Sequence, residues 1–250
     1  MPKVSIITPC FNSAKFLEST FSSVMAQTLS DWEWILVDDC SSDNTFEIIK
    51  SWANKDQRIK ALKNETNSGA AFTRNVGLEN ATGEFVAFLD ADDVWTQDKL
   101  ERQSQFMDSN NLSFSYHDYD IVDSNGTFIK SMNAPANVQK KLLEQFNPIF
   151  TSSVMIKRDV IKKIRFKVEL RRRQDYIFWH DMIGVTKVAK NVGMTLGSYR
   201  VGNQESLSHN KFRAVKIQWN IYRTEFKLGR MKSAQSLMAY AFHGIKKYFL

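Results

Sequence analysis

Residues 85–93 read Phe-Val-Ala-Phe-Leu-Asp-Ala-Asp-Asp. Five apolar residues in unbroken succession suit a short strand buried on both faces. The run stops at Asp90, and Asp92 and Asp93 follow it around Ala91. Carboxylates crowded at a strand end repel one another and call for a counter-cation. A hard divalent ion, Mn2+ or Mg2+, fits, because both favour carboxylate, water and phosphate oxygens. An acidic cap on the next helix, expected over Thr96–Ser109, would account for one of these carboxylates but not for three.

The same pattern runs upstream. Lys3–Thr8 is an apolar run ending at Pro9, and Asn12 or Ser13 can cap a helix to about Gln27. Trp34–Val37 is a second buried strand ending in Asp38-Asp39, and Ser41-Ser42-Asp43 can cap a helix to Asn54. Arg58–Leu62 is a weaker strand, and a helix follows from Gly69 to Asn80. This βαβαβαβ alternation predicts a doubly wound, mostly parallel sheet with helices on both faces. Such sheets bind ligands beyond the carboxyl ends of their strands, near a topological switch point. Three strand ends carry conspicuous polar groups: Thr8–Asn12, Asp38-Asp39 and Asp90–Asp93. One carboxylate of Asp38-Asp39 could accept a nucleobase N–H while the other faces backbone; a cap on the helix after Ser41 is an equal account. Gly69 permits close backbone approach, and Arg74 can neutralise phosphate or pair with an acid of the site. No G-x-G-x-x-G and no G-x-x-x-x-G-K-[ST] occurs, so neither a dinucleotide fold nor a P-loop is signalled.

Downstream the pattern loosens. Leu112–Tyr119, Phe128–Met132 and Thr151–Ile156 read as strands, Asp175–Val188 as a helix and Gly202–Asn210 as a loop. Over Lys211–Leu228, Phe212, Val215, Trp219, Tyr222 and Phe226 recur every three or four residues, which predicts an amphipathic helix, and Lys232–Leu250 predicts another. The chain of 250 residues carries a net charge of +7, unevenly spread. Residues 1–156 hold 13 Lys and Arg against 21 Asp and Glu, a balance of −8; residues 157–250 hold 21 against 6, a balance of +15. A basic back half suggests an anionic partner: nucleic acid, an anionic membrane surface or a phosphorylated lipid. The acidic front and the lack of recognition motifs weigh against nucleic acid. Cys10 and Cys40 make no disulfide framework, which favours the cytosol; no apolar leader and no membrane-spanning run is expected.

Four segments together resemble the family-2 inverting glycosyltransferases of the GT-A fold: VSIITPCFNSAKFLESTFSSVMAQT, WILVDDCSSDNT, NSGAAFTRNVGLENATGEFVAFLDADD and RRQDYIFWHDM. SLSHNKFRAVKIQWNIYR is similar to cell-envelope polysaccharide transferases. The resemblance implies a GT-A domain over 1–208, with a nucleotide-sugar half (1–110) and an acceptor half (111–208), and a basic amphipathic helical extension over 209–250. It implies that Pro9 and Phe11 line the base pocket and that Asp39 reads uracil. Asp90 would lie near the ribose, Asp92 would bind the metal with Asp93 beside it, and Asp175 would be the general base. Gln174 stands where Glu is commoner, and Cys40 where Gly or Ala is usual.

The implied reaction is a single displacement on a UDP-sugar by a glycan or lipid-linked oligosaccharide acceptor, in surface polysaccharide synthesis at the inner face of the cytoplasmic membrane. Arg171-Arg172-Arg173 could grip a phosphate or be a solvated charge run. Thr151-Ser152-Ser153 could line the acceptor pocket, and His209 could reach the metal from a loop over the donor phosphates. The basic and aromatic C-terminus, ending in Lys246-Lys247-Tyr248-Phe249, suits an anionic bilayer or a second subunit. A nucleotidyltransferase would carry a Gly-rich, basic loop after the first strand, and TPCFNSAKF is not one. A non-catalytic binding scaffold would have no need to keep Asp39, Asp92 and Asp175 together.

Overall fold

The computed structural model describes residues 1–162, 164–170, 172–201 and 211–249. Its first half is β1 (Val4–Cys10), α1 (Ala14–Met25), β2 (Trp32–Asp38), α2 (Thr45–Ala53), β3 (Ile59–Lys63), α3 (Gly69–Asn80) and β4 (Phe85–Phe88). The four strands are parallel and stand in the order β3-β2-β1-β4. Successive strands step one way from β1 to β3, and β4 then returns to the other side of β1. The end of β1 is therefore the switch point. Every residue of β2 and β4 is buried, as the apolar runs Trp34–Val37 and Phe85–Phe88 require.

The second half adds β5 (Val94–Trp95), α4 (Lys99–Ser109), β6 (Phe114–Val122), β7 (Phe128–Met132), β8 (Asn137–Val138) and α5 (Lys140–Leu143). It continues through β9 (Met155–Lys157), α6 (Arg158–Ile161), α7 (Gln174–Thr186), β10 (Ala189–Arg200), α8 (Lys211–Asn220) and α9 (Arg230–Phe249). β9 enters antiparallel between β4 and β6 and joins the halves in one sheet, ordered β3-β2-β1-β4-β9-β6-β10-β5.

A core lies on each face. Phe21, Trp34 and Trp52 stack on one side, with Phe21 and Trp52 centroids 4.3 Å apart. On the other, Phe166 lies flat on Phe178 at 3.9 Å, with Phe88 and Trp179 edge-on. Here Gly77 lets α3 lie directly on β1: a Cβ would fall 2.4 Å from Ile7 Cγ2. That contact seats Arg74, one turn earlier, over the strand ends.

Three expectations needed adjustment. Residues 151–153 form a buried 3-10 turn before the short β9, not one continuous strand. The helix expected at Thr96 starts at Lys99, because Val94-Trp95 pair with Gly197-Ser198 of β10. β10 itself was not foreseen: two glycines and two register shifts against β6 hide its alternation. The C-terminal segment is helical where expected, with a π-helical turn over Ile221–Glu225 and with Ile221, Tyr222, Phe226 and Leu228 buried. Among the described residues no helix is long and apolar enough to cross a membrane.

Candidate active site

Two left-handed residues shape the ends of β1 and β2. Asn12 has φ 48° and Cys40 φ 60°. The Asn12 N–H donates to Ser41 Oγ at 2.9 Å, and Asn12 Oδ1 accepts the Ser42 N–H at 2.9 Å, tying the two turns together. The left-handed region costs a side chain roughly 1–2 kcal/mol relative to glycine, so Cys40 is the strained choice at its turn.

The paired aspartates divide their work. Asp38 is fully buried and accepts the Ser41 N–H at 3.1 Å and the Ser41 hydroxyl, holding its own turn. Asp39 reaches the start of α3: Oδ1 accepts from Asn64 Nδ2 (2.8 Å) and Ser68 N–H (2.9 Å), and Oδ2 from Gly69 N–H (2.7 Å). It thus caps a helix, but not the one after Ser41, where Asp43 Oδ1 accepts the Thr45 N–H instead. Gly69 is required for its φ of 85°; a Cβ there would meet open space, so close packing is not the reason.

Arg74, 9% exposed, crosses from α3 to the aspartate loop, where Nη2 donates to Asp90 Oδ1 at 2.6 Å. Its guanidinium carbon lies 5.6 Å from the Phe166 ring centroid. The loop is fixed from three sides. The Thr20 hydroxyl of α1 lies 2.9 Å from both the Ala91 and Asp93 carbonyls. Arg200, the last residue of β10, donates through Nε to the Asp92 carbonyl at 3.0 Å. Ser152 accepts the Asp90 N–H (3.0 Å) and donates to Asp93 Oδ2 (2.5 Å).

Asp93 Oδ1 accepts the Arg200 N–H at 3.1 Å. Both Asp93 oxygens are thus engaged by internal donors, and the residue is 1% exposed. Burial and repulsion by Asp90 and Asp92 hold its carboxyl well above the usual range. Burial and Asp90 likewise push Asp92 up to about 6, with Arg200 opposing. Asp92 faces the cleft and Asp93 the protein.

Pro9, Phe11, Asp39, Gly69, Arg74, Asp90, Ala91 and Asp92 all line one cleft of ≈ 470 Å³ at the switch point. A second hollow of ≈ 350 Å³ shares Asn67, Gly69 and Ala70 with it and runs to Val168 and Gln174 at the start of α7. Asp175 is the next residue. Its carboxyl is raised by burial first; the Tyr176 N–H and Arg74 pull it down, and Asp90 pushes it up. The base candidate therefore senses the same ion pair that borders the first cleft. Asn147 Nδ2 approaches its Oδ2 at 3.3 Å.

Among the described residues no three His, Cys, Asp or Glu are gathered to hold a metal. The arrangement still fits a hard divalent ion. Asp92 is a hard oxygen donor in the cleft, beside the repelling Asp90, and such ions commonly take one or two carboxylates and fill the rest with phosphate and water. His209 lies outside the described residues. Arg173 is not a free phosphate grip: it donates to Gln218 and to Tyr240 Oη (2.6 Å), fastening α7 to α8 and α9. Ser152 and Ser153 are buried, and Ser152 bonds to the aspartate loop. Arg200, Asn12, Asn64 and Asn147 are not among the site residues read from the sequence, and Ser152 is there only as a candidate for the acceptor pocket. Of the first four only Asn12 carries a signal, its place after Pro9 and Phe11.

Comparison with known proteins places the chain in a family. TuaG of Bacillus subtilis, whose name assigns it to teichuronic acid biosynthesis, is 38% identical over 98% of this chain and 97% of its own. The Escherichia coli UDP-Glc:alpha-D-GlcNAc-diphosphoundecaprenol beta-1,3-glucosyltransferase WfgD is 36% identical over 98% of this chain and 94% of its own. Staphylococcus aureus TarS 1-349, solved in complex with UDP-GlcNAc, superposes with a TM-score of 0.72 at 23% identity, over 96% of this chain and 71% of that one; this likeness shows the GT-A fold. The family model described as glycosyl transferase family 2 matches residues 5–183. The chain is a glycosyltransferase and belongs to family 2.

Proposed function

We propose that the protein is an inverting transferase that moves a hexose or hexose derivative from a UDP-sugar to a lipid-linked glycan acceptor in bacterial surface polysaccharide assembly. The observation that carries the reading is the convergence of Asp39, Arg74, Asp90 and Asp92 on one switch-point cleft, with Gln174, the residue before Asp175, lining the adjoining hollow. The lipid-diphosphate acceptor in WfgD's name and the polysaccharide in TuaG's supply the substrate class.

In this reading the base enters between Pro9 and Phe11, and Asp39, held by two backbone N–H groups, accepts its N–H. Asp92 and the donor diphosphate would hold Mn2+ or Mg2+, which supplies positive charge to the leaving group. Asp93 anchors the loop that presents Asp92. Arg74 fixes Asp90 near the ribose through their 2.6 Å ion pair. Asp175 takes the proton of the acceptor hydroxyl as that oxygen attacks the anomeric carbon from the face opposite the diphosphate. One displacement turns an α-linked donor into a β-linked product. Burial raises the Asp175 carboxyl toward the working pH, which suits a base. We place the donor half in residues 1–110, the acceptor half in 111–208 and the working position at the inner face of the cytoplasmic membrane.

Titration calorimetry with UDP in the presence and absence of Mn2+ tests the donor site. Metal-dependent binding is expected; UDP binding that ignores the metal, or none at all, contradicts the reading.

A further inference from the structure

Helix α9 is turned inside out. Met231, Met238 and Phe242 are 79%, 67% and 66% exposed, and Ala234 and Ala241 between them are exposed too. Ser233 and Ser236 on the opposite face are 0% and 6% exposed, and Tyr240 bonds to Arg173. Spacings of three, four and seven put the exposed apolar residues on one face of the helix. A helix on a globular surface ordinarily does the reverse and turns its apolar stripe to the core. The sequence carries Ile245 and Phe249 at the continuing spacings, and the helix backbone runs to Phe249.

The charge on this segment chooses the occupant. From Phe226 to Leu250 there are five Lys and Arg and no Asp or Glu. Only Lys232 has a carboxylate partner among the described contacts there, Glu144 at 2.7 Å. A second copy laid on this stripe would bring like charges together. An anionic lipid surface accepts both features, taking the apolar stripe among its acyl chains and the cations among its headgroups.

We infer that α9 lies flat on an anionic bilayer through Met231, Met238 and Phe242. The inference rests on the proposed lipid-linked acceptor for its purpose, and the geometry gives it one. Arg173 joins Tyr240 and Gln218 to the N-terminus of α7, two residues before Asp175. A docked α9 therefore sets the proposed base close to the surface where a lipid-linked hydroxyl is presented.

The test is sedimentation of the full chain with vesicles of phosphatidylglycerol and phosphatidylcholine, against phosphatidylcholine alone, without donor or acceptor. The wild type is expected to pellet with the anionic vesicles only. The double variant Met231→Ser/Met238→Ser, which alters no charge, should partition at least about tenfold more weakly. Unchanged partition of that variant, or no vesicle binding by the wild type, overturns the inference. So does a wild-type dimer that the double variant splits into monomers, since a second copy then covers the stripe. Calorimetry with UDP reads the donor cleft separately: intact UDP binding without vesicle binding sinks this inference alone, whereas vesicle binding without UDP binding sinks the donor reading alone.

Discussion

Arg74 and Asp90 meet at 2.6 Å across the end of the sheet, one from a helix after β3 and the other from the loop after β4. Both charges act on Asp175, in opposite senses. The pair therefore joins the proposed donor cleft to the proposed base electrostatically.

Removing the cation should be visible in a pH profile. Arg74 lowers the Asp175 carboxyl, so Arg74→Met lets it rise further above the ordinary carboxylate value. The base is then protonated at higher pH, and the acid limb of kcat against pH should move upward. Stability should also fall by roughly 3 kcal/mol in denaturant melts, because Asp90 loses its partner beside a buried site. A limb that stays in place would separate Asp175 from this network.

Asp175→Asn keeps the shape of the α7 start and removes the base. Transfer should drop by about two to four orders of magnitude, while UDP binding by calorimetry stays near that of the wild type. Loss of UDP binding as well would make Asp175 a structural residue.

Metal affinity should fall in acid. Burial and Asp90 raise Asp92 to about 6, so in the absence of metal its carboxyl is protonated below that pH. A cation must displace this proton, and its apparent affinity weakens as pH drops through 6. Mn2+ titrations at pH 7.5 and 5, taken here as roughly 1.5 and 1 units either side of that value, should differ by about tenfold. Equal affinities would remove Asp92 from the metal.

Ser152→Ala deletes the donor to Asp93 and the acceptor of the Asp90 N–H together. Leaving buried polar groups unpaired costs about 1–3 kcal/mol each. Chemical denaturation should show a loss of that size, with metal-dependent UDP binding weakened because the loop is no longer held. A variant of unchanged stability would show that the Ser152 bonds do not fix the aspartate loop.

The first half was legible because β1, β2 and β4 are built on apolar runs stopped by polar residues. Phe85–Phe88 and Gly69–Asn80 appear within a residue of their expected bounds. The cleft was legible for the same reason: three strand ends meet at one switch point. What holds the aspartate cluster in place was not. The resemblance put the metal on Asp92 with Asp93 beside it; Ser152 and the Arg200 backbone, 59 and 107 positions away, engage both Asp93 oxygens. Those partners sit on a 3-10 turn and on β10, where neither period nor motif marks them. The stripe on α9 was half legible. Spacing predicted the helix, but which face meets the protein depends on Tyr240 and Arg173 meeting in three dimensions.

The central claim is one metal-dependent inverting displacement with Asp175 as base. The most direct measurement is the anomeric configuration of the product, by NMR, from an α-linked UDP-sugar and a lipid-diphosphate-linked acceptor sugar. The account predicts a β linkage, formed with Mn2+ or Mg2+, lost on chelation and not made by Asp175→Asn. An α-linked product, or undiminished transfer by Asp175→Asn, would contradict it.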